Sequence, residues 1–406
     1  MWRVPLALAA VLVGLFGACS LLLPERFAVN APLRQMLWGG GVDAPEPEVV
    51  DRRMKTAPGF EVSLWAENVR GARVLRFTPA GDLLVGSPVQ NSILLLEADA
   101  DGDGLSDGQR VLLEDLNHPS GVELHEGWLY VGETGGIARA PFDPGAAPSA
   151  GAPSGAHLTG ELEHIVSNLP SGGNHWGRNL RFGPDGWLYV HVGSSCNVCL
   201  EEDPNRRAVL LRFRPDGSQE QTFATGLRNS VGFAWQPSTG KLYATENGRD
   251  LLGDDFPPCE LNELVEGGFY GFPFANGDRV PDPDFGEGQN RRIASSIPPA
   301  HSFGAHNAPL GMNFVGGKQL PDTLQGAALV ALHGSWNRTQ KDGYKVVSLH
   351  WDDDGNILER DFLTGFLEDE DVSGRPADVI QGPDGAIYVS DDYAGVIWKI
   401  RYTGNL

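Results

Sequence analysis

A phrase that recurs six times along the chain constrains its fold more than any other feature. Each copy consists of an apolar segment, a turn rich in Pro, Asp and Gly, and an alternating strand. The copies are VLRFTPAGDLLVGS from Val74, GVELHEGWLYVGET from Gly121, LRFGPDGWLYVHVG from Leu180, GFAWQPSTGKLYATENG from Gly232, MNFVGGKQLPDTLQGAALVALHG from Met312 and VIQGPDGAIYVSDD from Val379. Because the turn supplies a glycine for positive φ and the strand alternates, each copy is predicted to be a β-hairpin.

The spacing of the copies predicts how they assemble. A single hairpin cannot bury both faces of its sheet, and copies roughly 45 to 80 residues apart are typical of β-propeller blades. Gly and Pro, at 53 and 29 residues, punctuate short strand-like runs, which favours an all-β chain. We therefore predict a six-bladed β-propeller over residues 56–406, closed by pairing of GFEVSLWAENV near the start with GVIWKIRY at the end.

The N-terminus carries an apolar run from Val4 to Leu23 behind Arg3. This pattern is typical of a secretory signal peptide or an uncleaved membrane anchor. Within the run, FGAC loosely matches the cleavage box of bacterial lipoproteins, so a lipoprotein signal ending at Cys19 is a third interpretation. We predict one of these three for residues 1–25, a tether over residues 26–55, and an exported protein of the periplasm or cell envelope, with a membrane tether through the N-terminus under two of the interpretations.

Three cysteines follow that segment. In an exported protein the close pair Cys196 and Cys199 favours a disulfide bond, which leaves Cys259 unpaired. Leu200 follows the pair where covalent haem attachment requires a histidine, and there is no second CxxC or His pair nearby for zinc.

The charge of the chain limits its partners. A formal net charge of -22 repels the phosphates of nucleic acids, so no nucleic-acid partner is expected. A small neutral or cationic ligand, or metal ions, fits this charge better. The long irregular stretch between the fourth and fifth copies is a candidate functional loop, since loops of that size in compact domains are usually functional.

One acidic stretch, DADGDGLSDG, has a spacing of acidic residues that is typical of calcium-binding loops. Its candidate ligands alternate along the chain: Asp99, Asp101, Asp103 and Asp107. Gly104 allows the turn that lets several oxygens surround one cation. It is not a complete EF-hand, because Arg110 stands where the twelfth-position Glu belongs. A solvated acidic hairpin tip remains the alternative.

His175, in the stretch GGNHWGRN, is the main candidate for catalysis. It precedes the inner strand of a predicted blade, where loops gather at the mouth of the central channel. Histidine is the usual general base near neutral pH, although a lone histidine is more often structural. The same alternatives apply to His301, His306 and His333.

The chain has few cations, and several of them lie in loops of different copies. They are Arg228 beside Asn229 in GLRNS, Arg338 and Lys341 in WNRTQKDGYK, and Arg375 in SGRPAD. Cations from separate blades that meet at one mouth suit a polycarboxylate ligand, because an arginine fork pairs with a carboxylate through two hydrogen bonds. Surface cations that only keep the protein soluble are the alternative.

These residues together resemble the soluble glucose/sorbosone dehydrogenase family, quinoproteins that bind pyrroloquinoline quinone (PQQ) on a six-bladed propeller. The resemblance covers essentially the whole mature chain. The stretches that carry it, in the family's order, are HWGRNLRFGPDGWLYV, GLRNSVGFAW, ENGRDLLGDDFPPCELNELVEGGFYGFP, HGSWNRTQKDGYKV and GRPADVIQGPDGAIYVSDD. Any one alone is weak, whereas the set is specific.

The resemblance implies a role for each matched residue. His175 occupies the position of the catalytic base, which takes a proton from a substrate hydroxyl while hydride passes to the quinone. The residues that match or accompany cofactor contacts are Arg228, Asn229, Lys341, Arg375, Arg338 and Trp336. The backbone carbonyls of Gly248 and Arg249 fall where the family coordinates the calcium ion that bridges to PQQ.

Departures from the family pattern concern the substrate. Ser230 and Val231 replace Pro and Gln of the glucose dehydrogenase branch, Ala377 replaces a second arginine, and Cys259 takes an acidic position. The CNVC, PPCELN and HGSWNR elements are more similar to the sorbosone and pyranose dehydrogenase branch. The resemblance thus implies an exported, calcium-dependent PQQ dehydrogenase of a sugar or sugar-derived aldehyde, with a separate electron acceptor. A calcium-dependent lactonase-type hydrolase and a non-catalytic binding propeller are the alternatives.

Overall fold

The computed structural model describes residues 24–32, 41–145 and 157–404. The described helices are short: α1 (Pro47–Arg53), α2 (Asn290–Ser295) and three 3-10 turns at Glu25–Phe27, Pro88–Gln90 and Asp322–Leu324. The rest of the regular structure is β-sheet. The strands of the first half are β1 (Lys55–Thr56), β2 (Phe60–Ala66), β3 (Leu75–Phe77), β4 (Leu83–Ser87), β5 (Ser92–Leu96), β6 (Gln109–Leu113), β7 (Gly121–His125), β8 (Trp128–Glu133), β9 (Gly136–Asp143), β10 (His157–Leu158), β11 (Glu163–Val166), β12 (Leu180–Phe182), β13 (Leu188–Val192), β14 (Val209–Phe213) and β15 (Gln221–Thr225).

The second half contains the remaining strands. They are β16 (Phe233–Trp235), β17 (Leu242–Glu246), β18 (Pro258–Leu264), β19 (Gly268–Phe269), β20 (Ala275–Asn276), β21 (Val280–Pro281), β22 (His301–Ala305), β23 (Pro309–Phe314), β24 (Ala328–Leu332), β25 (Lys345–Trp351), β26 (Ile357–Thr364), β27 (Leu367–Glu368), β28 (Asp371–Val372), β29 (Pro376–Gln381), β30 (Ile387–Asp391) and β31 (Val396–Tyr402).

The strands form six antiparallel blades, which confirms the predicted six-bladed β-propeller. Blade 1 is β3–β6, blade 2 is β7–β9 with β10 and β11 on its outer edge, and blade 3 is β12–β15 with β19 added in parallel. Blade 4 is β16–β18 with β22, blade 5 is β23–β26 with β1, and blade 6 is β29–β31 with β2. Each repeated phrase therefore supplies the two innermost strands of one blade.

The ring closes as the sequence predicted. Strand β2, from the start of the propeller, pairs antiparallel with β31 from its end, with Phe60 opposite Tyr402 and Leu64 opposite Trp398. Blade 6 thus joins both ends of the chain. Because this closure makes the ends of the propeller pair with each other, it removes the open edge that a linear array of blades would expose.

The hydrophobic core lies between neighbouring blades. Middle strands are covered on both faces, so β4 and β13 are buried at every position and read as continuous apolar runs rather than alternating ones. Between blades 6 and 1, for example, Trp65 meets Tyr388 edge-on at 5.2 Å between ring centroids, in a cluster with Leu75 and Ile397. This packing holds the inner strands around one central axis.

The segment predicted as a tether packs against the propeller where the structure describes it. The Asn30 N–H donates to the Trp336 carbonyl at 2.8 Å, and the Val42 N–H donates to the Tyr393 carbonyl at 2.9 Å. In α1, Arg53 is buried and pairs with Asp371 at 2.8 Å. The predicted signal or anchor and Cys19 lie in residues 1–23, outside the described residues. Among the described residues, no helix is long and apolar enough to cross a membrane.

Candidate functional site

A cavity of about 190 Å³ opens at the centre of the propeller, and all six blades contribute to its lining. The residue directly before each repeated phrase lies in that lining. These residues are Arg73, Ser120, Asn179, Val231, Gly311 and Asp378. His175, Trp176, His191 and Asn229 complete the polar and aromatic part of the wall. The sequence predicts His175 and Asn229 at this mouth, whereas the other polar residues were not predicted.

The repeat itself contains the signal that identifies the missed residues. Every phrase contains the inner strand of its blade or begins within it, and the residue before the phrase lines the cavity in all six blades. Arg73 and Asn179 occupy that position in blades 1 and 3. Aligning the six copies and extending them by one residue is therefore sufficient to find them.

The backbone of His175 adopts an uncommon conformation. Its φ is +53°, in the left-handed region that non-glycine residues rarely adopt, within the loop that leads to β12. The site tolerates this conformation because Gly193 leaves space, since a Cβ at position 193 would lie only 2.6 Å from the Cβ of His175. The surrounding structure thus holds this histidine in place.

Hydrogen bonds define which nitrogen of His175 faces the cavity. Nδ1 lies 2.9 Å from both the carbonyl oxygen and the hydroxyl of Ser194. The carbonyl can only accept, and the Ser194 hydroxyl donates to the Cys196 carbonyl at 2.8 Å, so Nδ1 carries the proton. The Nε2 lone pair then has no hydrogen-bond partner among the described residues and is available to a ligand.

Burial, and then the nearby Arg228 guanidinium, lower the pKa of His175 from 6.5 to about 3. The imidazole is therefore neutral across the physiological pH range. A neutral ring with a free Nε2 can accept a proton from a bound hydroxyl group, which is the requirement for a general base.

The lowered pKa of His175 predicts a pH dependence of stability. Between pH 6.5 and about 3, the unfolded chain binds a proton at this residue that the folded chain does not bind. The stability of the wild type relative to His175→Gln should therefore fall as the pH falls below 6.5, by up to about 1.4 kcal/mol per pH unit. Urea denaturation of both proteins at pH 7.5, 6 and 5 measures this difference, and a difference that stays constant with pH contradicts the shift.

Arg228 lies buried behind the cavity wall and is held entirely by protein groups. Nη1 donates to the carbonyls of Asn247 and Gly248, at 3.0 and 2.9 Å. Nη2 pairs with Asp250 at 3.1 Å, and Nε donates to the Asn197 carbonyl at 2.8 Å. Its neighbour Asn229 instead lines the cavity. Of this predicted pair, the structure therefore brings only Asn229 to the lining.

The other predicted cofactor contacts do not line the central cavity. Lys341 Nζ donates to Asn30 and to the Glu370 carbonyl at 2.8 and 3.0 Å. Arg375 donates to the carbonyls of His333 and Gly334. Arg338 donates to the carbonyls of Asp254 and Ala305, and Trp336 is exposed.

The predicted calcium ligands Gly248 and Arg249 line a small pocket behind Arg228, together with Glu246 and Glu260. Burial raises the pKa of Glu246 to about 8 and raises that of Glu260 as well. The Arg249 side chain points away and pairs with Asp282 at 2.8 Å. The carbonyl of Arg249 accepts no hydrogen bond from the described residues, whereas that of Gly248 accepts one from Arg228.

The predicted acidic loop connects β5 and β6, the two outer strands of blade 1, and is therefore distant from the inner strand β3. The structure brings carboxylate oxygens of Asp99, Asp101 and Asp107 within 4.8 Å of one another. Asp103 is not part of this group and accepts the Leu105 N–H at 2.8 Å. Calcium binding at this loop stays a prediction.

The predicted disulfide between Cys196 and Cys199 is confirmed, and Cys259 is buried and free. The disulfide closes a short loop beside the site. Asn197 within it accepts from Arg228 Nη2 and from the Asp250 N–H, both at 2.9 Å. This loop therefore connects the disulfide to the buried Arg228 network.

Removing the disulfide is expected to destabilise the protein by about 2 kcal/mol. The effect is at the low end because the bond closes only a short loop, so its removal returns little conformational entropy to the unfolded chain. The variant is Cys196→Ser/Cys199→Ser, and the measurement is the free energy of unfolding in urea. Dithiothreitol should destabilise the wild type by a similar amount and leave the variant unchanged. Equal stability of the wild type and the variant contradicts a structural role for the bond.

The fold and the cavity define a six-bladed propeller with a histidine base candidate at the mouth of its central channel. The chain belongs to the Glucose / Sorbosone dehydrogenase family, whose model matches residues 153–399. This match includes His175 and Asn229, and it begins after strand β9 of blade 2.

Individual proteins are also similar to this chain. An uncharacterised protein of Borreliella burgdorferi is 34% identical over 245 residues, which cover 59% of this chain and 64% of that protein. The aldose sugar dehydrogenase of Escherichia coli is 26% identical over 325 residues, or 72% of this chain and 77% of the relative. The structure of the holo form of the pyranose dehydrogenase PQQ domain from Coprinopsis cinerea superposes with a TM-score of 0.71 at 22% identity and covers 89% of this chain and all of that domain. At that identity the likeness concerns the fold.

Proposed function

We propose that this protein is a PQQ-dependent dehydrogenase of a sugar or sugar-derived aldehyde. The observation that carries the proposal is His175, neutral and with Nε2 free, at a central cavity on a propeller of the Glucose / Sorbosone dehydrogenase family. Curated relatives named as an aldose sugar dehydrogenase and a PQQ-dependent pyranose dehydrogenase support this reaction class over a lactonase-type hydrolase or a non-catalytic propeller.

In this proposal His175 Nε2 accepts the proton of the substrate hydroxyl. Ser194 keeps the ring oriented by accepting the Nδ1 proton. Burial and Arg228 oppose the charged imidazolium more strongly than the nearby Asp250 carboxylate favours it. The residue therefore returns its proton readily. When bound, the quinone supplies the acceptor for the hydride of the substrate C–H bond.

The cavity wall fits a ligand with several carbonyl and carboxylate oxygens. Arg73 and Asn229 line this wall, and both side chains carry hydrogen-bond donors. Asn179 Oδ1 is buried without a hydrogen-bond partner, so a donor on the ligand would satisfy it. These groups would hold the cofactor from several blades at once.

Calcium would bind at the carbonyls of Gly248 and Arg249, beside the buried Glu246 and Glu260. Oxygen ligands are those that calcium prefers, and a dication would offset the cost of burying two carboxyl groups. One lone pair of Gly248 already accepts from Arg228, so the second is the one available to the ion. Bound calcium would act as a Lewis acid on the cofactor.

We further propose that the protein is exported to the periplasm or cell envelope and passes its electrons to a separate carrier. The apolar run from Val4 to Leu23 supports export, and the Cys196–Cys199 disulfide is consistent with an oxidising compartment.

A dye-reduction assay tests the proposed function. The purified protein, preincubated with PQQ and calcium, should reduce an artificial electron acceptor when an aldose or sorbosone is added. Omitting PQQ should abolish the rate, because no other redox group is part of the proposal. Hydrolysis of lactones without dye reduction, under the same conditions, would instead establish the hydrolase.

A further inference from the structure

We propose that Arg73 binds a carboxylate of the ligand in the central cavity. The inference rests on the proposed function where it takes that ligand to be PQQ. Neither family resemblance nor spacing assigned a role to this residue. It lies in the wall of the central cavity and also in the wall of an adjoining cleft of about 700 Å³, so it stands where the two spaces meet.

The protein fixes the position of Arg73 from two directions. Its N–H donates to the Gly86 carbonyl at 3.0 Å, and its carbonyl accepts from the Ser390 hydroxyl at 2.7 Å. Its Nη1 pairs with Asp392 at 2.6 Å. Asp392 accepts in turn from His333 Nε2 at 2.9 Å, so the carboxylate that orients Arg73 is itself oriented.

Most of the Arg73 donors remain available. Within the described residues, Nε and Nη2 make no hydrogen bond, and the side chain is 25% exposed. A guanidinium with free donors on one side matches the two oxygens of a carboxylate. By contrast, Arg228 and Lys341 donate to protein oxygens away from this cavity.

The acidic residue in the same wall, Asp378, does not occupy the free donors of Arg73. The Asp378 carboxylate accepts the N–H groups of Leu75 and Val379, each at 2.9 Å, and makes no ion pair with Arg73 within 4.0 Å. Apart from the histidines, Arg73 is the only cationic side chain among the described residues that line the central cavity. An anionic ligand group in this cavity therefore has Arg73 as its partner.

The carboxylate belongs either to the cofactor or to an acidic sugar substrate, and one set of variants distinguishes these two cases. Arg73→Met removes the charge, and Arg73→Lys keeps a cation beside Asp392 but removes the fork. Arg70→Met is the matched control, because Arg70 is exposed and lines only the adjoining cleft. Dissociation constants are measured for PQQ in calcium buffer by tryptophan fluorescence, and for citrate by the shift in Tm. Michaelis constants are measured for glucose and glucuronate.

If the carboxylate belongs to PQQ, Arg73→Met should weaken PQQ binding by roughly 10- to 100-fold and Arg73→Lys by a smaller factor, with Arg70→Met unchanged. If it belongs to the substrate, the KM for glucuronate should rise while the KM for glucose and PQQ binding do not. If the wild type does not bind PQQ but binds citrate in a manner that depends on Arg73, the result contradicts the proposed function and supports the anion site. Unchanged binding of PQQ, glucuronate and citrate in correctly folded Arg73→Met and Arg73→Lys overturns the proposal.

Discussion

Replacing His175 with alanine is expected to lower the turnover number by roughly 10²-fold or more and to leave PQQ binding largely intact. The expectation follows from geometry, since Nε2 is the free nitrogen at the cavity and Nδ1 is held by Ser194. Steady-state dye reduction measures turnover, and fluorescence titration measures cofactor binding. The loss should appear in kcat rather than in KM alone, because the base acts on the reacting proton.

A matched control is His301→Ala. His301 pairs with Glu359 at 2.9 Å on an outer strand of blade 4 and does not line the cavity. This variant should retain wild-type turnover. Wild-type turnover in His175→Ala, with cofactor binding and fold preserved, would show that another group takes the proton.

Replacing Arg228 with methionine is expected to destabilise the protein by about 3 kcal/mol, because it leaves the largely buried Asp250 carboxylate without its arginine partner. The carbonyls of Asn247 and Gly248 lose their donor in the same step. The free energy of unfolding in urea measures the effect. Cofactor binding should weaken only indirectly, through the loop of Asn197 that Arg228 holds.

The control for Arg228 is a more exposed ion pair. Lys345 lies 2.6 Å from Asp361 on the outer strands of blade 5, and Lys345→Met should cost less than about 1 kcal/mol, since solvent screens such pairs. A loss of stability in Arg228→Met no larger than that of Lys345→Met would contradict the buried network. A direct role of Arg228 in cofactor binding would appear as weaker PQQ binding with unchanged stability.

The blades could be predicted from the sequence because each of them contains the same short-range pattern of turn and strand residues. The turn glycines and the alternating strands are short-range features, and the pairing of β2 with β31 follows once the number of blades is known. The two strands that complete each blade could not be predicted with the same certainty, because the phrases contain only the inner hairpin.

The candidate site was predictable in part. The location of His175 follows from the repeat, since the loop before an inner strand reaches the channel mouth. The partners of Arg228 and Lys341 could not be predicted, because they come from residues distant in the chain, such as Asn197 and Asn30. Arg73 was accessible to sequence reasoning through its position before the first phrase, but a cation there looks like any surface cation until the cavity is known.

In the proposed function, this propeller oxidises a sugar with PQQ bound at the cavity that His175 lines. The most direct test loads the apo-protein with PQQ and calcium, removes oxygen, and follows the absorbance of the cofactor as an aldose is added. We expect saturable uptake of one PQQ per chain, followed by conversion of the quinone spectrum to that of the reduced form. This conversion should be much slower in His175→Ala. Absence of uptake, or a bound quinone that no aldose or sorbosone reduces, would contradict the proposed function.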